Sequence, residues 1–161
     1  MNSALFTKFN SVALLLVCAL FVTSCGGDDP KIEEVTPIAS KSIKLENIQD
    51  SIAAPASRSL IEARLNVRNT STVSKSIKVK RYEISVIEGT DNSICWGTQC
   101  YPPNITVTPE YQIIVPTGVD TTFKADYIPY GITGVSKYMY VFFDKDSPND
   151  SSYVVITFNG Q

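Results

Sequence analysis

Histidine is absent from this 161-residue chain, and several kinds of active site are excluded with it. A serine or cysteine nucleophile that relies on a histidine base cannot form, and the commonest metal ligand is missing. The sequence also has no glycine-rich phosphate loop and no nucleophile elbow. A pair of carboxylates remains formally possible, but the sequence places no two acids face to face. We therefore predict that the protein is not an enzyme and needs no cofactor.

A strong excess of charge of one sign is also missing. The chain has 14 lysines and arginines against 16 aspartates and glutamates, for a formal net charge of −2. A chain this close to neutral does not have the basic balance typical of proteins that bind nucleic acid or anionic lipid. We therefore predict no nucleic-acid partner.

Long hydrophobic runs are scarce. The longest, from Val12 to Val22, follows Lys8 and is shorter than the roughly 20 residues needed to span a bilayer as a helix. This layout is that of a secretory signal peptide.

The residues that follow the apolar run, Val22-Thr23-Ser24-Cys25, resemble the lipobox of bacterial lipoproteins. The resemblance implies cleavage before Cys25 and lipidation of that cysteine, which becomes the first residue of the mature protein. Each buried methylene contributes about 0.8 kcal/mol, so a multiply acylated cysteine holds the protein to a membrane in effect permanently. The alternative is an ordinary signal peptide in which Cys25 is incidental.

The segment behind Cys25 begins GGDDP and shows no apolar period through residue 40, so it is predicted to be a flexible tether. It also resembles the acidic export signals of Bacteroidota lipoproteins, which implies an outer-membrane protein displayed on the cell surface; a periplasmic face is the alternative. The predicted organisation is a signal peptide over 1–24, a lipidated cysteine and tether over 25–40, and one domain over 41–161.

Residues from 42 onward show a period of two, which indicates β-strands with one wet face. Runs of this kind are predicted over 42–47, 60–69, 76–89, 104–108, 111–115, 121–127, 136–143 and 151–158. Proline and glycine turns separate many of them. Short strands at this spacing favour an all-β fold, an antiparallel immunoglobulin-like β-sandwich of seven to eight strands. A change of apolar phase between Val79 and Tyr82 predicts a bulge near Lys80 and Arg81, or a crossing between sheets.

The block from Leu60 to Phe143, whose most specific part is CWGTQCYPP at 95–103, resembles domains of uncharacterised exported proteins of Bacteroidota. That resemblance implies a fold and a habitat. It implies no activity and no catalytic residues.

Cysteines are few, and the lipoprotein reading accounts for two of the four. Cys18 leaves with the signal peptide and Cys25 takes the lipid, so Cys95 and Cys100 remain. Two thiols this close in an exported domain are expected to form a disulfide. A zinc site would need further ligands that a chain without histidine hardly supplies, so we predict no bound metal. Catalytic thiol pairs are separated by two residues at a helix start, whereas four residues separate these in a β context.

The aromatic residues beside the disulfide are candidate contact residues. A short disulfide ring holds Trp96 and Tyr101 in one shape, and rigid aromatics contribute large contact area at low entropic cost. In the alternative interpretation, Trp96 points inward and fills the core beneath the disulfide.

The strand predicted over 136–143 is apolar on both faces and is therefore predicted to be central. One face carries Tyr138, Tyr140 and Phe142, and the other carries Met139, Val141 and Phe143. One face must meet the core, and the other is either an aromatic platform for a sugar or partner protein or is covered by loops. Tyr138 and Tyr140 join the candidate contact residues.

The acidic segment DKDSPND at 144–150 offers oxygen ligands for calcium but departs from the helix-loop-helix calcium pattern, because Pro148 takes a ligand position. A solvated hairpin turn is the prediction here.

These observations lead to two hypotheses. The first is a lipid-anchored, non-enzymatic protein that serves as an accessory or contact subunit of an outer-membrane assembly, with another envelope protein as its partner. The second is a surface module that binds carbohydrate or a host ligand through the candidate contact residues.

Overall fold

A computed structural model describes residues 42–109 and 113–161. The predicted signal peptide, Cys25 and the predicted tether lie outside these residues. Ten strands form within them. They are β1 Ile43–Glu46, β2 Ser51–Ala54, β3 Ile61–Asn69, β4 Lys75–Ser85, β5 Asp91–Trp96, β6 Gln99–Tyr101, β7 Ile113–Val115, β8 Asp120–Ile128, β9 Gly134–Asp144 and β10 Ser147–Gly160.

The strands form two five-stranded sheets. The first has the order β1-β3-β8-β5-β6 and the second the order β2-β10-β9-β4-β7. Neighbouring strands are antiparallel, except that β2 runs parallel to β10. This topology confirms the predicted immunoglobulin-like sandwich. The predicted count of seven to eight strands was too low, and the second sheet is mixed rather than purely antiparallel.

The core lies between the two sheets and is built by the alternation that the sequence shows. On β3 every second residue from Ile61 to Asn69 is buried, and the residues between them keep contact with solvent. Opposite β3, the central strand β9 turns Tyr138, Tyr140 and Phe142 inward. The prediction that this strand is central is confirmed, because β9 lies between β10 and β4.

The predicted phase change in β4 is wrong, and a buried arginine is the reason. The strand keeps one phase from Ile77 through Val79 to Arg81, and all three side chains are buried. A charged residue at an inward position made the apolar pattern look shifted. The register shift against β9 occurs further along, between Glu83 and Ser85.

The short strands were the least predictable. The pattern at 104–108 predicted a strand, but in the structure this segment has only an isolated bridge, between Val107 and Lys80. Of the strand predicted over 111–115, the described part is β7. The strands β2, β5 and β6 were not predicted.

None of the described residues forms a helix with the length and hydrophobicity to span a membrane.

Candidate contact surface on the second sheet

The four aromatic residues that the sequence singled out for contact are all in the core. Trp96 and Tyr140 are 0 % exposed, Tyr138 1 % and Tyr101 7 %. The predicted contact role is therefore wrong for these residues, because none presents a ring to solvent. For Trp96 the alternative interpretation holds: its indole N–H donates to the Ile77 carbonyl at 2.8 Å across the sandwich, and its ring meets Phe142 edge-on.

The predicted Cys95–Cys100 disulfide is present. The two cysteines face each other directly in the β5–β6 hairpin, with Trp96 paired to Gln99. Gly97 begins the turn with a φ of +61°, a conformation that favours glycine. Added to Gly97, a Cβ atom would also collide with Ile113 of β7, so the hairpin end packs tightly against the second sheet.

A polar network crosses the core near the two buried tyrosines. The Arg81 guanidinium donates to the Asn92 carbonyl and, at 2.6 Å, to the Pro103 carbonyl. The Tyr140 hydroxyl donates to Asn92 Oδ1 at 2.8 Å. Burial raises the pKa of Tyr138 to about 12 and also raises that of Tyr140, so both phenols stay neutral at physiological pH. The network ties β4 to β5.

The acidic segment at the β9–β10 hairpin holds a lysine. Lys75 Nζ lies 2.8 Å from a carboxylate oxygen of Asp144 and 2.8 Å from one of Asp150. Asp150 also accepts hydrogen bonds from the backbone N–H and the hydroxyl of Ser42. The ammonium group thus occupies the position between the two carboxylates where a cation would bind. No cluster of three or more metal-ligating side chains occurs in the described part of the chain.

The outer face of the first sheet is charged, with both signs interleaved. Glu62 on β3 pairs with Arg64 and, at 3.2 Å, with Lys124 on β8. Arg68 and Asp120 pair at 3.4 Å. Partial burial, with the negative charge of Glu62 nearby, raises the pKa of Asp126. This is the composition of an ordinary solvated surface.

The outer face of the second sheet has a different composition. Its centre is apolar and spans three adjacent strands, and each of its side chains is half-buried or exposed. These side chains are Tyr82 on β4, Met139, Val141 and Phe143 on β9, and Tyr153 and Val155 on β10. Lys78, Lys80 and Lys137 are the charged residues that share the face with them. We call these nine residues the lysine–apolar face.

The register places these residues next to one another. Val141 lies between Lys80 and Tyr153, and Met139 lies between Tyr82 and Val155. Side chains on directly opposed positions of neighbouring strands are in contact range, so the apolar centre is continuous. Lys80 Nζ also sits 4.6 Å from the centre of the Tyr82 ring.

The sequence had indicated part of this face. The apolar positions Met139, Val141 and Phe143 were predicted to form the second face of a central strand. Tyr82 and Tyr153 were not assigned to it, because the register that joins β4, β9 and β10 is not visible in a single sequence. A signal was available in the run of lysines at alternate positions 78 and 80.

A groove of about 470 Å³ lies beside one edge of this sheet, between β1 and the first half of β10. Its lining includes Lys44, Leu45, Ile48, Thr70, Ser152 and Tyr153. Tyr153, 42 % exposed, therefore belongs both to the groove and to the lysine–apolar face.

The described residues thus define a β-sandwich of the immunoglobulin-like class. Among solved structures, the chain is similar to the N-terminal domain of PorA, with a TM-score of 0.58 and 16 % sequence identity over 74 % of this chain and 98 % of that one. It also matches a conjugate transposon protein from Bacteroides vulgatus (TM-score 0.42, 14 % identity, 80 % of this chain and 93 % of that one). A PapD-like domain of human CEP192 matches with a TM-score of 0.43 and 13 % identity over 79 % of this chain and 91 % of that one.

Of these three, the PorA domain supports the fold assignment, since only its TM-score exceeds one half. No protein-family model matches the sequence, and a search of curated proteins found no match.

Proposed function

We propose that the protein is a lipid-anchored, non-enzymatic component of the bacterial cell envelope that contacts another envelope protein through the lysine–apolar face. The lipobox-like residues ending at Cys25 support the anchor, and the acidic segment behind it supports an outer-membrane location with display at the surface. The non-enzymatic part rests on the sequence, which lacks histidine and every nucleotide or nucleophile motif considered above.

The observation that carries the proposal is the difference between the two outer faces. Both sheets present an outer face, yet the first is covered by paired charges and the second has a continuous apolar centre. Apolar patches rimmed by polar residues mark interaction sites on soluble domains, and interface centres are depleted in charge. The patch lies on the central strands of a hydrogen-bonded sheet, so binding requires little ordering of the domain.

Site-specific photo-crosslinking in living cells tests the proposal. A benzophenone amino acid replaces Val141 at the centre of the face, and the matched control carries it at Thr122, which is outward-facing on the first sheet. We expect irradiation to join the Val141 variant to one discrete envelope protein and to give no such adduct at Thr122. Equal adduct patterns at both positions, or none at Val141, would contradict the proposal.

Carbohydrate binding is a second candidate function, with its location moved from the buried aromatics to the groove beside β1. There Tyr153, 42 % exposed, lines the groove together with Thr70 and Ser152, a combination of an aromatic ring and hydroxyl groups suited to stacking and hydrogen bonding with a sugar. A glycan array that compares the wild type with Tyr153→Ala tests this, with Tyr130→Ala as the control because that exposed tyrosine lies elsewhere. Binding that survives Tyr153→Ala, or no binding by the wild type, would exclude the groove.

A further inference from the structure

We infer that the partner of the lysine–apolar face is a different protein whose contact surface is rimmed with carboxylates. This inference rests on the proposed function and adds the chemistry of the partner. It follows from the charges that surround the apolar centre.

The three lysines of the face stand apart from the other basic residues. Within residues 42–109 and 113–161, neither Lys78, Lys80 nor Lys137 has an ion pair, whereas the remaining lysines and arginines do, with the exception of Arg58. The protein as a whole is slightly acidic, so a cluster of unpaired cations is not a reflection of its composition.

Among the described residues, carboxylates are also missing from the outer positions around these lysines, because the exposed Glu83 of β4 follows the inward phase of the strand and pairs with Arg81. The outward-facing positions of the paired segments of β4, β9 and β10 hold no aspartate or glutamate. On the first sheet, by contrast, Glu62, Asp120 and Asp126 all face outward. The face therefore carries only positive charge, and a partner surface with negative charge would be electrostatically complementary to it.

The same charges argue against a second copy of this chain as the occupant. In a symmetric dimer built on this face, the patch meets itself and the lysines of the two copies are brought together. Like charges opposed at an interface cost several kcal/mol. A carboxylate-rimmed partner removes this repulsion and lets the apolar centre be buried.

Zero-length cross-linking with a water-soluble carbodiimide tests the inference on the full-length protein in native membranes. The reagent condenses a lysine amine with a carboxylate in direct contact, with net loss of one water, and so reports only amine–carboxylate contacts. We expect amide cross-links from Lys78, Lys80 or Lys137 to an aspartate or glutamate of the same protein that the Val141 photo-crosslinker captures. The intramolecular pair Lys124–Glu62, at 3.2 Å, is the internal control that the reagent has worked.

Two variants sharpen the result. Replacing the three lysines by arginine keeps the charge but removes the reactive amines, so the carbodiimide adduct should be lost while photo-crosslinking at Val141 persists. Replacing them by glutamate should abolish both adducts, because the charges of the face are then reversed.

The outcomes separate the two proposals. Photo-crosslinks at Val141 without carbodiimide links from the three lysines, or photo-crosslinks that survive the glutamate variant, would overturn the acidic partner and leave the proposed function standing. Links between two copies of this chain, or photo-crosslinks to lipid only, would overturn the different-protein partner. Absence of both kinds of adduct, with the Lys124–Glu62 link present, would overturn both proposals.

Discussion

Trp96 shows how much stability a single side chain contributes to this fold. Its indole is fully buried between the sheets and hydrogen-bonded to the Ile77 carbonyl. Replacement of a buried aromatic residue by alanine removes apolar contacts and leaves a cavity, so Trp96→Ala should lower the free energy of unfolding by about 3–5 kcal/mol. Chemical denaturation followed by circular dichroism measures the change.

The controls for this prediction are two further variants. Trp96→Phe keeps an aromatic ring but leaves the carbonyl without the indole donor, so its loss should be intermediate. Ile114→Ala, at a position 64 % exposed, should change the free energy by no more than about 0.5 kcal/mol. A Trp96→Ala protein as stable as the wild type would show that the indole is not part of the core.

At the same scale, Arg81 explains why the apolar pattern of β4 predicted a phase change that the structure does not contain. Sequence patterns classify arginine as outward-facing, since charged side chains are almost never fully buried unless paired. The guanidinium has a local ion pair with Glu83 at 3.5 Å, but its hydrogen-bond acceptors are the carbonyls of Asn92 and Pro103, which belong to other segments of the chain. No local pattern contains that information, so the inward position of Arg81 could not be predicted.

The hairpin between β9 and β10 is stabilised by ion pairs that make the fold sensitive to pH. Burial alone would raise the pKa of Asp150, but hydrogen bonds from Lys75 and Ser42 hold it below its ordinary value. The native state therefore binds this proton less readily than the unfolded chain, so the stabilisation is present above about pH 4 and is lost as the pH falls. The pKa of Lys75 is raised chiefly by its hydrogen bond to Asp144, so its contribution is present below about pH 10.4 and is lost at higher pH.

We accordingly expect Asp150→Asn to weaken the loss of stability at acid pH, because the variant has no carboxylate to protonate at this position. We also expect Lys75→Met to lower the free energy of unfolding at pH 7 by about 3 kcal/mol, because Asp144 and Asp150 then lose their shared cation. Thermal melts between pH 2 and pH 7 measure the first effect, and urea denaturation measures the second. Lys145→Met is the matched control, since its ion pair with Asp146 is exposed and such pairs contribute less than about 1 kcal/mol. An unchanged loss of stability at acid pH in Asp150→Asn would contradict the assignment.

The β5–β6 hairpin holds a disulfide whose effect should be local. A ring this short restricts the unfolded chain only slightly, so the double variant Cys95→Ala/Cys100→Ala should lose about 2 kcal/mol or less. Amide hydrogen exchange should accelerate in Gln99–Tyr101 and remain slow in the central strands β8 and β9. Collapse of the whole fold in this variant would mean that the disulfide does more than hold the hairpin.

All the long strands were predicted from the sequence, and the strands that were missed are β2, β5 and β6. β3, β8, β9 and β10 have nine or more residues, so their alternation is clear even with polar interruptions. β2 and β6 have only three or four residues, too few to show a period. The position of β2 depends on pairing with β10, which is distant in sequence, and pairing between the distant strands β4 and β9 likewise sets the lysine–apolar face.

At the scale of the whole molecule, the proposed anchor predicts where the protein is found. Cys25→Ser removes the thiol that would carry the lipid, so the protein should leave the membrane fraction. Fractionation with immunoblotting measures this, and mass spectrometry of the wild type should show a modified Cys25 as the first residue. Unchanged membrane association of Cys25→Ser would contradict lipid anchoring at that residue.

The parallel pairing of β2 with β10 has a consequence for the order in which the molecule is assembled. Ser51 and Thr157, near the two ends of the described chain, must meet before the second sheet is complete. Contacts so distant in sequence require a large loop to close and form slowly. We expect the domain to stay unfolded until β10 is available to pair with β2 and β9, a delay that is compatible with the export that the proposed lipoprotein requires.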